Sequence, residues 1–218
     1  MRKGKADDAG FTLIELIVAI GVFGTLMAVV GSATIAAMAA IRNTTSTSQV
    51  QQDSQNAMEW VSALLRYTDL PEGQASAVPT AGAATITLYS YASAGRKIDV
   101  PYRITMGVTA NSNGTRTLYA DAFTPTKAAA GWTWASTASR RRLLTVPNGT
   151  GSPLTLVYYA CDPTSSCNST RHQLTTPATP GALTITAPEV LESIKVSIGD
   201  PAKPASMLTQ SVQLVNMT

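Results

Sequence analysis

Gly10-Phe11-Thr12-Leu13-Ile14-Glu15-Leu16-Ile17-Val18-Ala19-Ile20 opens an apolar segment that runs almost unbroken to Ile41. Glu15 is the only charged residue between Asp8 and Arg42. The 31 positions from Phe11 to Ile41 exceed the roughly 20 apolar residues needed to cross a hydrocarbon core of about 30 Å. A carboxylate at the centre of such a helix costs about 2.5 to 3.5 kcal/mol, and less towards an end. The segment therefore reads as membrane-length, with one ionisable group that needs a physical reason.

Upstream, residues 1–10 form a polar leader in which Arg2, Lys3 and Lys5 stand against Asp7 and Asp8. That basic excess places the leader on the cytoplasmic side of a membrane. An ordinary secretory signal cut near Ala37-Met38-Ala39 would match a small-x-small site, but its apolar region would run only about 7 to 15 residues. A plain anchor tolerates Glu15 near its end and has no use for it.

The hexapeptide Gly10-Phe11-Thr12-Leu13-Ile14-Glu15 resembles the processing site of type IV prepilins and of the pseudopilins of type II secretion systems. The resemblance implies that a membrane prepilin peptidase cuts after Gly10 and that Phe11, the new N-terminus, is N-methylated. It also implies that Glu15 is an assembly contact. Parallel helices packed in a low-dielectric bundle would pair Glu15 of one chain with the cationic amine on Phe11 of another, offsetting much of the desolvation cost. The partners so implied are other pilin or pseudopilin subunits, the peptidase and methyltransferase, the cytoplasmic membrane and the assembly platform.

Apolar residues then recur at Val50, Ala57, Met58, Val61, Leu64 and Leu65, a helical stripe. The Ser/Thr-rich run Arg42 to Ser48 marks where the chain leaves the membrane, and Pro71 ends the pattern. A continuous helix from Phe11 to Tyr67 would measure about 85 Å. Many pilins have a proline near the position of Ser32, which this chain lacks; Gly21, Gly24 and Gly31 either loosen the helix in its place or allow close helix packing.

From residue 72 short alternating runs appear: Thr85 to Tyr91, Lys97 to Met106, Thr115 to Phe123, Arg140 to Val146, Leu154 to Cys161, Leu183 to Thr186, Leu191 to Ile198 and Met207 to Val215. Turn signals separate them, among them Ala94-Gly95, Asn113-Gly114 and Pro147-Asn148-Gly149. The expected fold is α+β: a leader at 1–10, a transmembrane or filament-core helix at 11–41, its amphipathic continuation at 42–70, and a mostly antiparallel β domain at 72–218. In the pilin family this layout makes a ladle.

The chain has 218 residues and a formal net charge of +3, too weak a surplus to imply a nucleic-acid partner by itself. Cys161 and Cys167 would lie outside the cytoplasm, where a disulfide is the default, leaving open whether they are bridged. A zinc site would need Cys161, Cys167, Asp162 and the lone His172 to converge at a spacing that zinc sites do not use. A base at His172 acting with Asp162 and Ser165 or Ser166 rests on sequence proximity alone. No nucleophile elbow, phosphate loop or helical metal motif is present, so neither an enzyme nor a cofactor is expected.

Arg140-Arg141-Arg142 follows Trp132 and Trp134. One reading is a cationic, aromatic patch for DNA. The other places both indoles in the core and uses the arginines to protect an edge strand or the filament interface.

Arg66 after the helix and the terminal Val212-Gln213-Leu214-Val215-Asn216 are similar to the J-type minor pseudopilins and W-type minor pilins, with Val215 where those have arginine. The leading expectation is a structural subunit, minor and at the tip or initiating end of a pilus or pseudopilus. It would be stored in the inner membrane with its leader inside and its C-terminal domain outside, then move to an extracytoplasmic filament. The alternatives are a tip module binding a surface or DNA, and a membrane-anchored domain that never assembles.

Overall fold

The computed structural model describes residues 12–93, 96–147, 151–164, 167–185 and 189–214. The leader, Gly10 and Phe11 lie outside these residues, as do the turns expected at Ala94-Gly95 and Asn148-Gly149 and the C-terminal Val215 and Asn216. The chain divides into two compact units, residues 1–46 and 47–218. One helix, α1 (Leu13–Arg66), contributes to both.

In the first unit every described residue, 12–46, is exposed. Its side chains are those of a membrane-length helix: Leu16, Ile17, Phe23, Leu26, Val30 and Ile35 are all more than half exposed. Hydroxyls that would be costly in an apolar medium bond back to the helix itself. Thr25 donates to the Val22 carbonyl at 2.8 Å, Ser32 to Val29 at 2.8 Å and Thr34 to Val30 at 2.8 Å. Gly21, Gly24 and Gly31 leave the helix unbroken.

In the second unit the C-terminal part of α1 buries Ser54, Ala57, Met58, Val61, Ser62, Leu64 and Leu65. The spacing of three and four is that of one helical face. Two serines sit in it because each has a partner: Ser54 donates to the Val50 carbonyl at 2.7 Å and Ser62 to Gln210 Oε1 at 2.7 Å. The helix ends at Arg66. Its last carbonyls are taken by Thr68 N–H on Leu65 (3.1 Å) and by the Thr68 and Ser90 hydroxyls on Leu64 (3.1 and 2.8 Å).

Two antiparallel sheets complete this unit. Sheet A is a meander in chain order: β1 (Thr80–Ala81), β2 (Ile86–Ser93), β3 (Arg96–Ala110), β4 (Thr115–Ala128) and β5 (Gly131–Pro147). Sheet B has β6 (Leu154–Cys161), β7 (His172–Gln173), β8 (Val190–Ile198) and β9 (Leu208–Gln213) in the order β7-β6-β8-β9. A single cluster joins the helix face to the inner rows of both sheets, including Leu88, Met106, Leu118 and Leu144 of sheet A and Leu156, Tyr158, Ile194 and Val196 of sheet B. The α+β layout with antiparallel sheets is thus as the sequence predicts. Asn113-Gly114 forms the β3–β4 turn, with Gly114 at φ 72° and its amide donating to the Asn111 carbonyl at 3.2 Å.

Two expectations change. Leu183 and Ile185 pack half-buried against the core without joining a strand. Trp132 and Trp134 are not core residues. They lie in the part of the β4–β5 hairpin that continues past β3, whose last pair with β4 at that end is Arg103 with Phe123. Trp134 stacks on Tyr89 at 4.5 Å and donates to the Pro101 carbonyl at 2.8 Å. The tip of this hairpin is closed by Gly131, where a Cβ would come within 2.4 Å of the Glu72 carbonyl oxygen.

Candidate functional site

The start of α1 is built as a capping box. Thr12 precedes the first helical residue, and Glu15 is three residues on. The Glu15 carboxylate accepts the Thr12 amide at 3.0 Å and the Thr12 hydroxyl at 2.9 Å, while Thr12 Oγ1 accepts the Glu15 amide at 3.4 Å. Such reciprocal bonding satisfies donors that a helix N-terminus otherwise leaves open, and a carboxylate there also meets the positive end of the helix dipole. The isolated chain therefore already gives Glu15 two hydrogen bonds. Thr-x-x-Glu before an apolar run is the sequence signal for this arrangement, and it makes Thr12 a capping partner of Glu15 that the assembly reading alone passes over. Gly10 and Phe11 adjoin this box and lie outside the described residues.

Cys161 and Cys167 are bridged, with Cα atoms 5.1 Å apart. Both sulfurs are thereby withdrawn from metal ligation. The closed loop leads through a short helix, α2 (Cys167–Thr170), to Arg171, whose amide donates to the Cys167 carbonyl at 2.9 Å. Arg171 then ties sheet B together. Its Nε is 3.0 Å from a Glu192 carboxylate oxygen, its Nη2 donates to Ser193 Oγ at 2.8 Å, and its guanidinium lies 4.6 Å from the centre of the Tyr159 ring.

His172 does not meet Asp162. Its Nε2 faces Glu189 at 3.7 Å and its Nδ1 lies 3.2 Å from the Thr170 carbonyl oxygen. Asp162 instead accepts the Thr164 hydroxyl at 2.6 Å and amide at 2.8 Å, first the side-chain and then the backbone bond holding its carboxyl below the usual range. Ser165 and Ser166 lie outside the described residues.

The three consecutive arginines alternate between the two faces of β5, and a bulge just after them sets which face each takes. Leu118 pairs with Leu144 but Tyr119 pairs with Arg142, so Leu143 is extra and the facing of the strand switches. Arg141 shares the inner face with Ala120 and lies 5.4 Å from the Trp60 ring centre. Arg140 and Arg142 share the outer face. Arg140 grips Asp121 with Nε and Nη2, both at 2.7 Å, and lies 4.2 Å from the Tyr119 ring centre. The bidentate bond to Asp121 raises its pKa further. Among the described residues Arg142 has no ion-pair partner. All three stand on the outermost strand of sheet A, where residues 136–142 are exposed on both faces.

Residues 5–31 match the family model of the prokaryotic N-terminal methylation motif. That motif is the signature of type IV pilins and pseudopilins, and the match covers residues 5–10 of the leader, the Gly10-Phe11 junction, the capping box and the apolar helix as far as Gly31. No curated protein matches the chain. No solved structure matches it either. The match is to this N-terminal motif alone, and it supports a processed, pilin-like chain made as a membrane-anchored precursor.

Proposed function

We propose that this chain is a minor subunit of a type IV pilus or type II secretion pseudopilus, cut after Gly10, N-methylated on Phe11 and incorporated through α1. The observation that carries the reading is the coincidence of the methylation motif at residues 5–31 with a helix whose residues 12–46 are all exposed. A bare apolar helix of this length needs either lipid or like helices around it. The precursor supplies the first environment, with its leader inside and the β domain outside, and a filament supplies the second.

Glu15 fits both stages. In the precursor the Thr12 bonds reduce its desolvation cost. In the filament its remaining charge pairs with the Phe11 amine of a neighbour. A tip or initiating position suits the irregular β domain, whose 17-residue β5 and long hairpin would obstruct repeated packing along a shaft.

The test is the N-terminus of the chain recovered from cells. The wild type begins at methylated Phe11, and a variant with Gly10→Val keeps its leader. Cleavage at Phe11 in that variant would overturn the reading. The second reading, a tip module for DNA, draws on exposed Arg142, while Arg140 is engaged by Asp121 and Arg141 faces Trp60. Unchanged DNA uptake after Arg142→Ala with intact filaments would remove it.

A further inference from the structure

A sheet edge presents unpaired backbone groups, and proteins ordinarily blunt it by short length, charge or proline. Three of the four outer strands of the two sheets are blunted in this way. β1 and β7 have two residues each, and β5 carries Arg140, Arg141 and Arg142. The fourth, β9, is different: six residues, Leu-Thr-Gln-Ser-Val-Gln, with neither a charge nor a proline. It pairs with β8 on one side and, among the described residues, with no strand on the other.

A hollow of about 410 Å³ lies against this strand, lined by Ser211, Val212, Gln213, Arg66 and Arg171. It touches both rows of the strand, since Val212 pairs with Ile194 in the core-facing row while Ser211 pairs with Lys195 in the opposite row. Arg66, on the helix side, is exposed and has no ion-pair partner among the described residues. Arg171 is committed to Glu192. Among the described residues, two guanidiniums stand against one carboxylate, which leaves one positive charge uncompensated beside the open backbone.

We propose that the β9 edge is a docking site for an extended segment of a second protein chain that carries a carboxylate. The segment's backbone would continue sheet B by strand addition, and its carboxylate would face Arg66 beside Arg171. A single small anion leaves most of a hollow of this size unfilled and makes no use of the strand edge. Neighbouring subunits are the natural source of such a segment if the chain assembles as proposed above. The docking itself is independent of that reading and is tested without a filament.

The experiment uses the full chain in detergent micelles and two blocked nine-residue peptides of alternating valine and threonine, one with a central glutamate and one with glutamine there. Binding is followed by anisotropy and mapped by amide hydrogen exchange. The glutamate peptide is expected to slow exchange within residues 208–213 and to bind about tenfold more tightly than the glutamine peptide. Arg66→Gln removes that preference, whereas Arg142→Gln leaves it; both positions are exposed, so the fold is retained. The proposal is overturned if neither peptide protects residues 208–213, if the two bind equally, if the preference survives Arg66→Gln, or if inorganic phosphate displaces the peptide as effectively as excess peptide does.

Discussion

The hydroxyl of Tyr158, a fully buried side chain, donates to the Gly82 carbonyl at 3.0 Å and accepts the Gly82 amide at 3.3 Å. One side chain thus satisfies both backbone groups of a residue in the β1–β2 connection. Tyr158→Phe would leave them buried and unpaired, a loss of about 1 to 3 kcal/mol. Denaturant unfolding of the variant should show it as a lower midpoint with an unchanged slope. At the other end of the chain Glu15 is similarly committed, to Thr12. That bond was legible: Thr12-Leu13-Ile14-Glu15 is a capping signature. It shares its glutamate with the processing motif, and reading the residue only for its charge hides its role as a cap. No sequence pattern, by contrast, marks Tyr158 as the partner of Gly82, because the two are 76 positions apart.

Among the elements, the stripe from Ala57 to Leu65 was legible because a half-buried helix repeats every three to four residues. Ser54 and Ser62 were not, since their burial depends on partners at Val50 and Gln210. The same limit applies to the arginines: alternation alone would put Arg140 and Arg142 on one face, but which face is decided by the bulge at Leu143. The two tryptophans fall outside the core because the hairpin carrying them outruns its neighbour β3. The Cys161–Cys167 bridge closes a short loop, with a sequence separation of 6, and positions Arg171 over sheet B. Replacing both cysteines by serine should lower stability by about 2 kcal/mol on the chain-entropy estimate, read as a lower thermal midpoint. An unchanged midpoint would mean that Arg171 is held by Glu192 and Ser193 without the loop.

For the whole molecule, pH acts in a defined direction at the alkaline end. Burial raises the pKa of Tyr89, Tyr91 and Tyr158. A folded state that holds these protons more tightly than the unfolded chain keeps its full stability below the ordinary tyrosine pKa of about 10 and loses it as pH rises above that value. Denaturant midpoints should therefore fall on going from about pH 9 to about pH 11, and Tyr158→Phe should flatten that fall. The division of the chain into a bare helical unit and a β-rich unit with its own core agrees with a molecule made for assembly. We propose that the charge of Glu15, beyond its cap, serves that assembly. Glutamine at this position keeps a capping box and removes the charge, while alanine removes both. The decisive measurement is the amount of chain in sheared filaments from cells carrying Glu15→Gln or Glu15→Ala. Both variants should be processed and neither incorporated; incorporation of the glutamine variant at the wild-type level would rule out an assembly role for the Glu15 charge.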